Sequence, residues 1–375
     1  MGRAGTPIRR IVLGLSVAAA CVLSGCGGGG GGGSNNNTFT LSSSDLNANG
    51  ELQTAQVFAG FGCSGGNRSP ALTWRNAPGD TKSFVITMFD RDAPTGSGFW
   101  HWTVMDLPST TSSLGTNAGA LASATLPTAA IQGYTDFGTS AYGGPCPPVG
   151  DAPHRYLFTV YAMKIPTAGL TAGAPGALVS FVAKANSIDS ASFTATYAVP
   201  GTATPRPVIA TPPTFTLTSA QVPANSTVAN AQVFNGFGCT GLNISPSLTW
   251  SGVPQGTQSL VLTVFDPDAP TGSGFWHWLV FDIAPTATSI PLNAGVPNST
   301  TVPAGALQGY TDFGFSGYGG PCPPAGDPAH HYIFTLYALG IPSVGLTSGA
   351  TGGLLGFVVL QNATAKTTFT ATFGR

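Results

Sequence analysis

Short apolar runs separated by turn residues dominate the pattern of this chain of 375 residues. Ser83–Phe89 and Ser259–Phe265 are near-continuous apolar segments, which predicts central strands buried on both faces. Trp102–Met105 and His154–Tyr161 alternate more clearly between apolar and polar positions, which also indicates strands. The pattern therefore predicts a protein built from short strands.

Ala177–Asn186 and Gly353–Asn362 are the best helix candidates, and each is followed by a strand-like segment rich in Thr, Phe and Ala. Only 7% of the residues are charged, against roughly 25% in an average soluble protein. Gly (52) and Pro (31) are plentiful. These features predict a mainly β fold with one or two short helices in each domain.

The N-terminus has the features of an export signal. Arg3, Arg9 and Arg10 form a positive region, and Ile11–Leu23 is an apolar stretch too short to span a bilayer as a mature helix. It leads into Leu-Ser-Gly-Cys ending at Cys26, which resembles the bacterial lipobox, whose cysteine becomes the lipidated first residue. Residues 1–26 are therefore predicted to be a lipoprotein signal peptide, with an ordinary secretory peptide as the alternative.

Residues 27–37 are a run of Gly followed by Ser and Asn, a flexible tether that holds a domain away from a membrane. Gly27 stands directly after the lipobox cysteine where an Asp would signal inner-membrane retention. By resemblance to Gram-negative sorting, this favours the outer membrane, facing the periplasm or the cell surface. The net charge is −1 and the mature part has no basic run, so nucleic acid is not an expected partner.

An internal repeat organises the rest of the chain. Phe89–Trp102 returns 176 residues later as Phe265–Trp278 with 13 of 14 positions identical, and Gln132–Asp151 returns at the same offset as Gln308–Asp327 with 17 of 20 identical. The constant offset predicts two domains of one fold, the first repeat (residues 38–199) and the second repeat (residues 214–375). Residues 200–213 are rich in proline and suit a semi-rigid linker.

Four cysteines lie outside the leader: Cys63, Cys146, Cys239 and Cys322. In an oxidising compartment an even set of four implies two disulfides, for which three pairings are possible. Because the repeat relates Cys63 to Cys239 and Cys146 to Cys322, we predict the pairs Cys63–Cys146 and Cys239–Cys322. Four free buried thiols are the alternative.

The repeated blocks contain most of the ionisable side chains. Asp90 and Asp92 lie at i and i+2 where a buried strand ends, so an extended chain places both carboxylates on one side. His101 follows the next turn, and a proline-rich loop leads to His154 and Tyr156. A carboxylate beside an imidazole keeps the ring protonated and oriented. With a tyrosine hydroxyl and loop N–H groups, such a pair could bind a phosphate or carboxylate oxygen.

A purely structural role is the alternative, with Asp capping a turn and His and Trp filling the core. The presence of two Asp and two His in both repeats favours a binding site. The other repeated acids in the two blocks are predicted to be turn residues: Asp136, Asp312, Asp151 and Asp327.

These motifs resemble the phosphatidylethanolamine-binding protein family, also called the Raf-kinase-inhibitor-like family, and most of all its bacterial YbhB/YbcL branch. The family's DPDAP motif matches Asp90–Pro94 and Asp266–Pro270, and its G-P-x-P-P…H-R-Y block matches Gly144–Tyr156 and Gly320–Tyr332. The resemblance implies two tandem domains, each a large antiparallel sheet packed on a smaller sheet. It also implies an anion pocket in each domain, formed by Asp90, Asp92, His101, His154 and Tyr156, and by Asp266, Asp268, His277, His330 and Tyr332.

Two positions depart from the family pattern. Arg91 stands where the DPDAP motif has its first proline, and His331 stands where the first repeat keeps the family's arginine, Arg155. A histidine cannot form the bidentate bonds of an arginine, so the second pocket is expected to differ in detail.

From these features we expect an exported, non-catalytic lipoprotein with two pockets for small anionic ligands, phospholipid head groups among them. No cofactor or metal is expected, the lipid anchor is the predicted membrane contact, and the sequence identifies no protein partner. One alternative is a hydrolase or metal-dependent enzyme that uses Asp-x-Asp with two histidines. Another is an interaction or inhibitor module of the cell envelope.

Overall fold

The computed structural model describes residues 38–297, 299 and 301–375. The predicted signal peptide with Cys26 and the 27–37 tether lie outside these residues. The elements of the first repeat are β1 Thr40–Ser42, β2 Ala59–Gly60, β3 Cys63–Ser64, β4 Leu72–Arg75, β5 Ser83–Asp90, β6 Phe99–Pro108, β7 Ser113–Leu114, β8 Ile131–Gln132, β9 His154–Met163, α1 Gly176–Asn186 and β10 Ser187–Tyr197. Those of the second repeat are β11 Thr216–Thr218, β12 Asn235–Gly236, β13 Cys239–Thr240, β14 Leu248–Ser251, β15 Ser259–Asp266, β16 Phe275–Ile283, β17 Ser289–Ile290, β18 Leu307–Gln308, β19 His330–Leu339, α2 Gly352–Asn362 and β20 Ala363–Phe373.

A five-stranded antiparallel sheet carries the long strands of each repeat. Its order is β10-β9-β5-β6-β8 in the first repeat and β20-β19-β15-β16-β18 in the second, so the repeats share one topology. A three-stranded sheet, β1-β4-β7 or β11-β14-β17, packs on one face of it. The predicted mainly β fold, with a large antiparallel sheet on a smaller sheet in each repeat, is confirmed.

Strand β5 is central in its sheet and buried along its whole length, as its continuous apolar run predicts. Ile86 faces the small sheet, whereas Val85 faces α1 on the other side. The alternation at Trp102–Met105 in β6 does not produce an exposed face, because all four residues are buried. Trp102 packs toward the small sheet and Met105 packs in the cluster beneath α1. Because the small sheet and α1 cover the two faces of the large sheet, even the polar positions of this alternating segment are buried.

Both predicted helices are present, each beginning one residue before its predicted start. A Cβ at Gly176 would lie 2.3 Å from the ring of Trp100, so only glycine lets α1 pack this closely on β6. Each helix runs directly into the last strand of its repeat. Within the described residues, no helix combines the length and apolar character that crossing a bilayer requires.

The two repeats contact each other reciprocally within one compact unit, Thr38–Arg375. Trp100 Nε1 donates to Ser273 Oγ and Trp276 Nε1 donates to Ser97 Oγ, each over 3.1 Å. The repeat offset exchanges these two pairs, so the repeats meet as the halves of a two-fold dimer do.

The helices take part in this interface. Ser180 on α1 donates its hydroxyl to the carbonyl oxygen of Thr271 over 2.7 Å. A Cβ at Gly356 on α2 would lie 2.1 Å from the carbonyl oxygen of Thr95. Thr95 and Thr271 belong to the turns that follow β5 and β15. Each helix therefore lies against the turn after the central strand of the other repeat.

Candidate functional site

Each candidate site forms where the ends of three neighbouring strands meet. Asp90 ends β5 and pairs in the sheet with Phe99 at the start of β6 and with Tyr156 near the start of β9. His101 and His154 lie two residues from these partners, so the antiparallel ladders bring both imidazoles to Asp90. We call Asp90, His101, His154 and Tyr156 the first site. Its equivalents form the second site: Asp266, His277, His330 and Tyr332.

His154 is held by carboxylates on both ring nitrogens. Its Nδ1 lies 2.7 Å from Asp90 Oδ2, and its Nε2 lies 3.6 Å from Asp151 Oδ2. Burial acts to lower the pKa of His154, but the hydrogen bonds and charges of Asp90 and Asp151 outweigh it and raise the pKa above the ordinary value. His154 is therefore the positively charged group of the first site.

His101 has the opposite character. Its Nδ1 lies 2.7 Å from the carbonyl oxygen of Gly143, which can only accept, so Nδ1 carries the proton. Burial lowers the pKa of His101, and the neighbouring Asp90 only partly offsets this. His277 behaves in the same way in the second site. The ring is therefore neutral, and its Nε2 lone pair can accept a hydrogen bond from a ligand.

The hydroxyl of Tyr156 is buried, and it has no hydrogen-bond partner among the described residues. Tyr332 shares this property and lines the cavity of the second site. Burial, reinforced by the charge of Asp90, raises the pKa of Tyr156, so the hydroxyl stays protonated as a donor. An unsatisfied buried hydroxyl costs about 1–3 kcal/mol. In the second site, where Tyr332 lines the cavity, a ligand oxygen would supply the missing acceptor, whereas Tyr156 is not among the residues that line the first cavity.

Asp90 and Asp92 do not act side by side. Asp90 Oδ1 accepts from the amides of Asp92 and Ala93, which caps the turn, while Oδ2 faces His154. Asp92 instead accepts from the amide and the guanidinium of Arg155. That hydrogen bond lowers the pKa of Asp92. In the described structure Asp92 thus lies outside the cavity wall and ties the turn to β9.

Asp268 has the equivalent place in the second site. It accepts from the amide of His331 and lies 2.8 Å from Nδ1 of the same ring. The Arg-to-His difference in the sequence therefore falls on this outer pair and leaves the geometry around Asp266 unchanged, with His330 Nδ1 2.7 Å from Asp266 Oδ2.

The first site opens into a cavity of about 340 Å³. Phe99 and Phe137 stand against the His101 ring, with centroids 5.3 and 5.2 Å away. The Cys63–Cys146 disulfide forms part of the wall. Apolar groups thus surround a polar base, which is the usual composition of a small-molecule site.

Both predicted disulfides, Cys63–Cys146 and Cys239–Cys322, are present. The loop that carries Cys146 is also held by its own backbone, because the amide of Gly143 donates to the carbonyl oxygen of His101 and the amide of Gly144 donates to Asn67 Oδ1. These two loop N–H groups therefore hold the loop itself.

Several residues of the first site were missed by the sequence reasoning. Leu354, Phe357 and Gln361 line its cavity from α2 in the other repeat. Asp151, predicted as a turn residue, lies beside His154 and pairs with Arg206 of the linker. Comparing the two helix sequences could have identified Leu354 and Phe357, because Leu and Phe recur at the equivalent positions of α1.

Asp136 and Asp312, also predicted as turn residues, are buried at the contact between the repeats. The amide of Trp100 donates to Asp136 Oδ2 over 2.7 Å, and the amide of Trp276 donates to Asp312 Oδ2 over 2.8 Å. Burial raises the pKa of Asp136 to about 6 and raises that of Asp312 well above its ordinary value. Their role is to hold the start of β6 and β16.

Residues 38–297, 299 and 301–375 contain no group of three or more His, Cys, Asp or Glu side chains arranged to hold a metal ion.

Part of this chain is similar to known bacterial proteins. YbcL of Escherichia coli is 49% identical over 156 residues, which cover 41% of this chain and 85% of YbcL. YbhB of E. coli is 47% identical over 141 residues, covering 38% of this chain and 88% of YbhB. The putative lipoprotein LppC of Mycobacterium tuberculosis is 41% identical over 137 residues, covering 36% of this chain and 63% of LppC.

Among solved structures, the crystal structure of E. coli YbcL matches with a TM-score of 0.43 and 46% identity, covering 43% of this chain and 99% of that chain. The family model described as phosphatidylethanolamine-binding protein matches residues 42–198 and 224–374, which together make up most of the sequence. The chain therefore belongs to the phosphatidylethanolamine-binding protein family, as a tandem repeat of the family's domain.

Proposed function

We propose that this protein binds small anionic ligands bearing a phosphate or carboxylate group at its two sites and does not convert them. The observation that carries the proposal is His154, held by Asp90 at the base of a cavity with mostly apolar walls. An imidazolium in such surroundings attracts an anion more strongly than it would in water, because the local dielectric constant is low.

The carboxylates around the site are each engaged by a partner, including Asp151, which lies 3.6 Å from His154 Nε2 and pairs with Arg206. Asp90 has both oxygens engaged, one by two backbone amides and one by His154. Asp92 is paired with Arg155. The monoanion of a phosphate monoester can accept from His154 and can donate its own hydroxyl to His101 Nε2, so the donors and acceptors of the site match a singly protonated phosphate monoester.

The absence of turnover is part of the proposal. Thr95, a hydroxyl on the wall of the first cavity, donates to the carbonyl oxygen of Gly98 over 2.6 Å. The cysteines on the same wall, Cys63 and Cys146, are joined in a disulfide. The hydroxyl of Thr95 and the two sulfur atoms are therefore engaged. Incubation with an alkyl phosphate should release no inorganic phosphate, and enzyme-dependent release would support the hydrolase alternative.

We also propose that the protein is exported and lipid-anchored through Cys26, at the outer membrane. The leader sequence supports this, as does the similarity to a protein described as a putative lipoprotein. Mass spectrometry of the membrane fraction should find a diacylated peptide beginning at Cys26. A mature protein that begins elsewhere without lipid would contradict this part of the proposal.

Calorimetric titration of the purified protein with inorganic phosphate at pH 5.5 tests anion binding. His154→Gln keeps the size of the side chain but removes its charge, and phosphate affinity at the first site should fall by about tenfold or more. His331→Gln is the control, because His331 is an exposed histidine of the outer pair with Asp268. Phosphate binding that is absent, or equally affected by both substitutions, would overturn the proposal.

A further inference from the structure

The proline-rich linker, residues 200–213, contributes a charged side chain to the surroundings of the first site. The guanidinium of its Arg206 donates to Asp151 Oδ2, the same oxygen that lies 3.6 Å from His154 Nε2. Asp151 and Arg206 also line a neighbouring space of about 300 Å³, which shares two residues of α2 with the first cavity. A residue outside both repeats therefore contacts the charged groups of the first site.

The linker is held on both sides of Arg206. Before it, a Cβ at Gly150 would lie 2.2 Å from the amide nitrogen of Ala203, so the linker packs directly on the loop that carries Asp151. After it, the amide and the carbonyl group of Ala210 both form hydrogen bonds with β20. Arg206 is therefore placed beside Asp151 before any ligand binds, which reduces the entropy cost of using this contact in binding.

Asp151 stands where an anion has to bind. The Nδ1 of His154 already contacts Asp90, so Nε2 is the ring nitrogen that can donate to a ligand. Asp151 Oδ2 faces this nitrogen, and its negative charge repels an anion at the same place. The positive charge of Arg206 lies on the same oxygen and offsets this repulsion.

The second site has the equivalent carboxylate without an equivalent arginine among the described residues. Asp327 Oδ2 lies 3.7 Å from His330 Nε2, which reproduces the geometry of the first site. The Arg375 guanidinium at the edge of this site donates to three backbone carbonyl oxygens instead. The Asp327 side chain is 40% exposed, against 21% for Asp151, so water screens only part of its charge.

We propose that Arg206 acts on the first site through Asp151: it neutralises this carboxylate and so raises the affinity of the first site for anions, an advantage that the second site lacks. This inference rests on the proposed function and adds a positioning residue that distinguishes the two sites. The linker lies between the segments that match the family model, residues 42–198 and 224–374. It therefore takes part in binding besides joining the repeats.

Calorimetric titration with inorganic phosphate at pH 5.5 tests this inference in a His330→Gln background, where only the first site keeps its charged imidazole. Arg206→Gln should weaken phosphate binding by about fivefold, a modest change because the Arg206 side chain is 45% exposed and its charge is screened. Arg206→Lys keeps the charge and should keep most of the affinity. The matched control is Arg75→Gln, which should leave binding unchanged because Arg75 is an exposed arginine of β4 that lines neither cavity.

A double variant separates this electrostatic role from a purely structural one. Without the carboxylate the arginine is not needed, so Asp151→Asn added to Arg206→Gln should restore the lost affinity. For the same reason Asp327→Asn, in a His154→Gln background, should strengthen phosphate binding at the second site by about fivefold.

Four results would overturn this inference alone: phosphate binding that Arg206→Gln leaves unchanged, an equal loss in Arg75→Gln, no recovery in the double variant, or no gain from Asp327→Asn. Absence of phosphate binding by the wild-type protein would instead overturn the proposed function, and this inference with it.

Discussion

His154 Nδ1 lies 2.7 Å from Asp90 Oδ2, and both side chains are buried at the end of the central strand. The second repeat reproduces this distance between His330 and Asp266. Asp90 is itself fixed, because its other oxygen accepts from two amides of the following turn. The imidazole is therefore oriented before any ligand arrives, which reduces the entropy cost of binding.

Anion affinity should fall as the pH rises. The pKa of His154 is raised by its carboxylate partners, so the ring keeps its proton through mildly acidic pH and loses it as the pH passes that raised value. A phosphate monoester loses its own hydroxyl proton at about pH 6, which removes the donor to His101 and acts in the same direction. Titration with n-butyl phosphate at pH 5.5 and pH 8 should give clearly tighter binding at pH 5.5. Equal affinity at the two values would contradict this account of the site.

Tyr156→Phe should separate binding from stability. Its hydroxyl has no partner among the described residues, so removing it should leave the free energy of unfolding unchanged or raise it slightly. If the hydroxyl donates to a ligand oxygen, phosphate affinity should fall by about tenfold.

The matched control is Tyr142→Phe, because the Tyr142 hydroxyl donates to the carbonyl oxygen of Gln56 over 3.1 Å. This substitution should lower the free energy of unfolding by about 1 kcal/mol and leave phosphate binding unchanged. Urea denaturation and calorimetry on both variants provide the comparison. A Tyr156→Phe variant that binds phosphate as the wild type does would remove Tyr156 from the site.

Asp136 should make stability depend on pH at the contact between the repeats. Its pKa is raised from 3.8 to about 6 in the folded protein. A raised pKa means that the folded state binds the proton more tightly. Protonated Asp136 therefore adds about 3 kcal/mol to the free energy of unfolding. This contribution is complete below about pH 4 and is lost as the pH rises through about 6. Asp136→Asn keeps an acceptor for the Trp100 amide but does not titrate. From pH 4 to pH 7, the free energy of unfolding of this variant should therefore rise by about 3 kcal/mol relative to that of the wild type. Urea denaturation of both proteins at pH 4 and pH 7 measures this. A difference in free energy of unfolding between variant and wild type that is the same at both pH values would contradict the prediction.

The disulfides should stabilise the repeats equally. Each closes a loop with a sequence separation of 83 residues, which the chain-entropy model equates with about 4 kcal/mol. Replacing Cys63 and Cys146 by alanine should lower the free energy of unfolding by about 4 kcal/mol. The double substitution of Cys239 and Cys322 should lose the same, measured by denaturation of each variant. A reducing agent that leaves the wild-type melting temperature unchanged would contradict a stabilising role.

Much of the fold could be predicted because its signals are local or repeated. The apolar run of β5 marks a central strand, and the cysteines pair within each repeat as the offset requires. The gathering of Asp90, His101 and His154 also followed from the order of strand and turn. The prediction reaches its limit at Asp92. The i, i+2 spacing predicts that Asp90 and Asp92 face the same side, but the turn directs Asp92 toward Arg155.

The remaining features depend on how the repeats pack together, which no local pattern records. Asp136 looks like a turn residue until the start of β6 and the second repeat bury it. Phe357 looks like an ordinary apolar residue of a helix, and only the docking of α2 on the first repeat brings it to the cavity.

A crystal structure of the protein with bound n-butyl phosphate tests the central claim most directly. The account predicts the phosphate group within hydrogen-bond distance of His154 in the first cavity. A phosphate group bound at surface cations outside both cavities would contradict it.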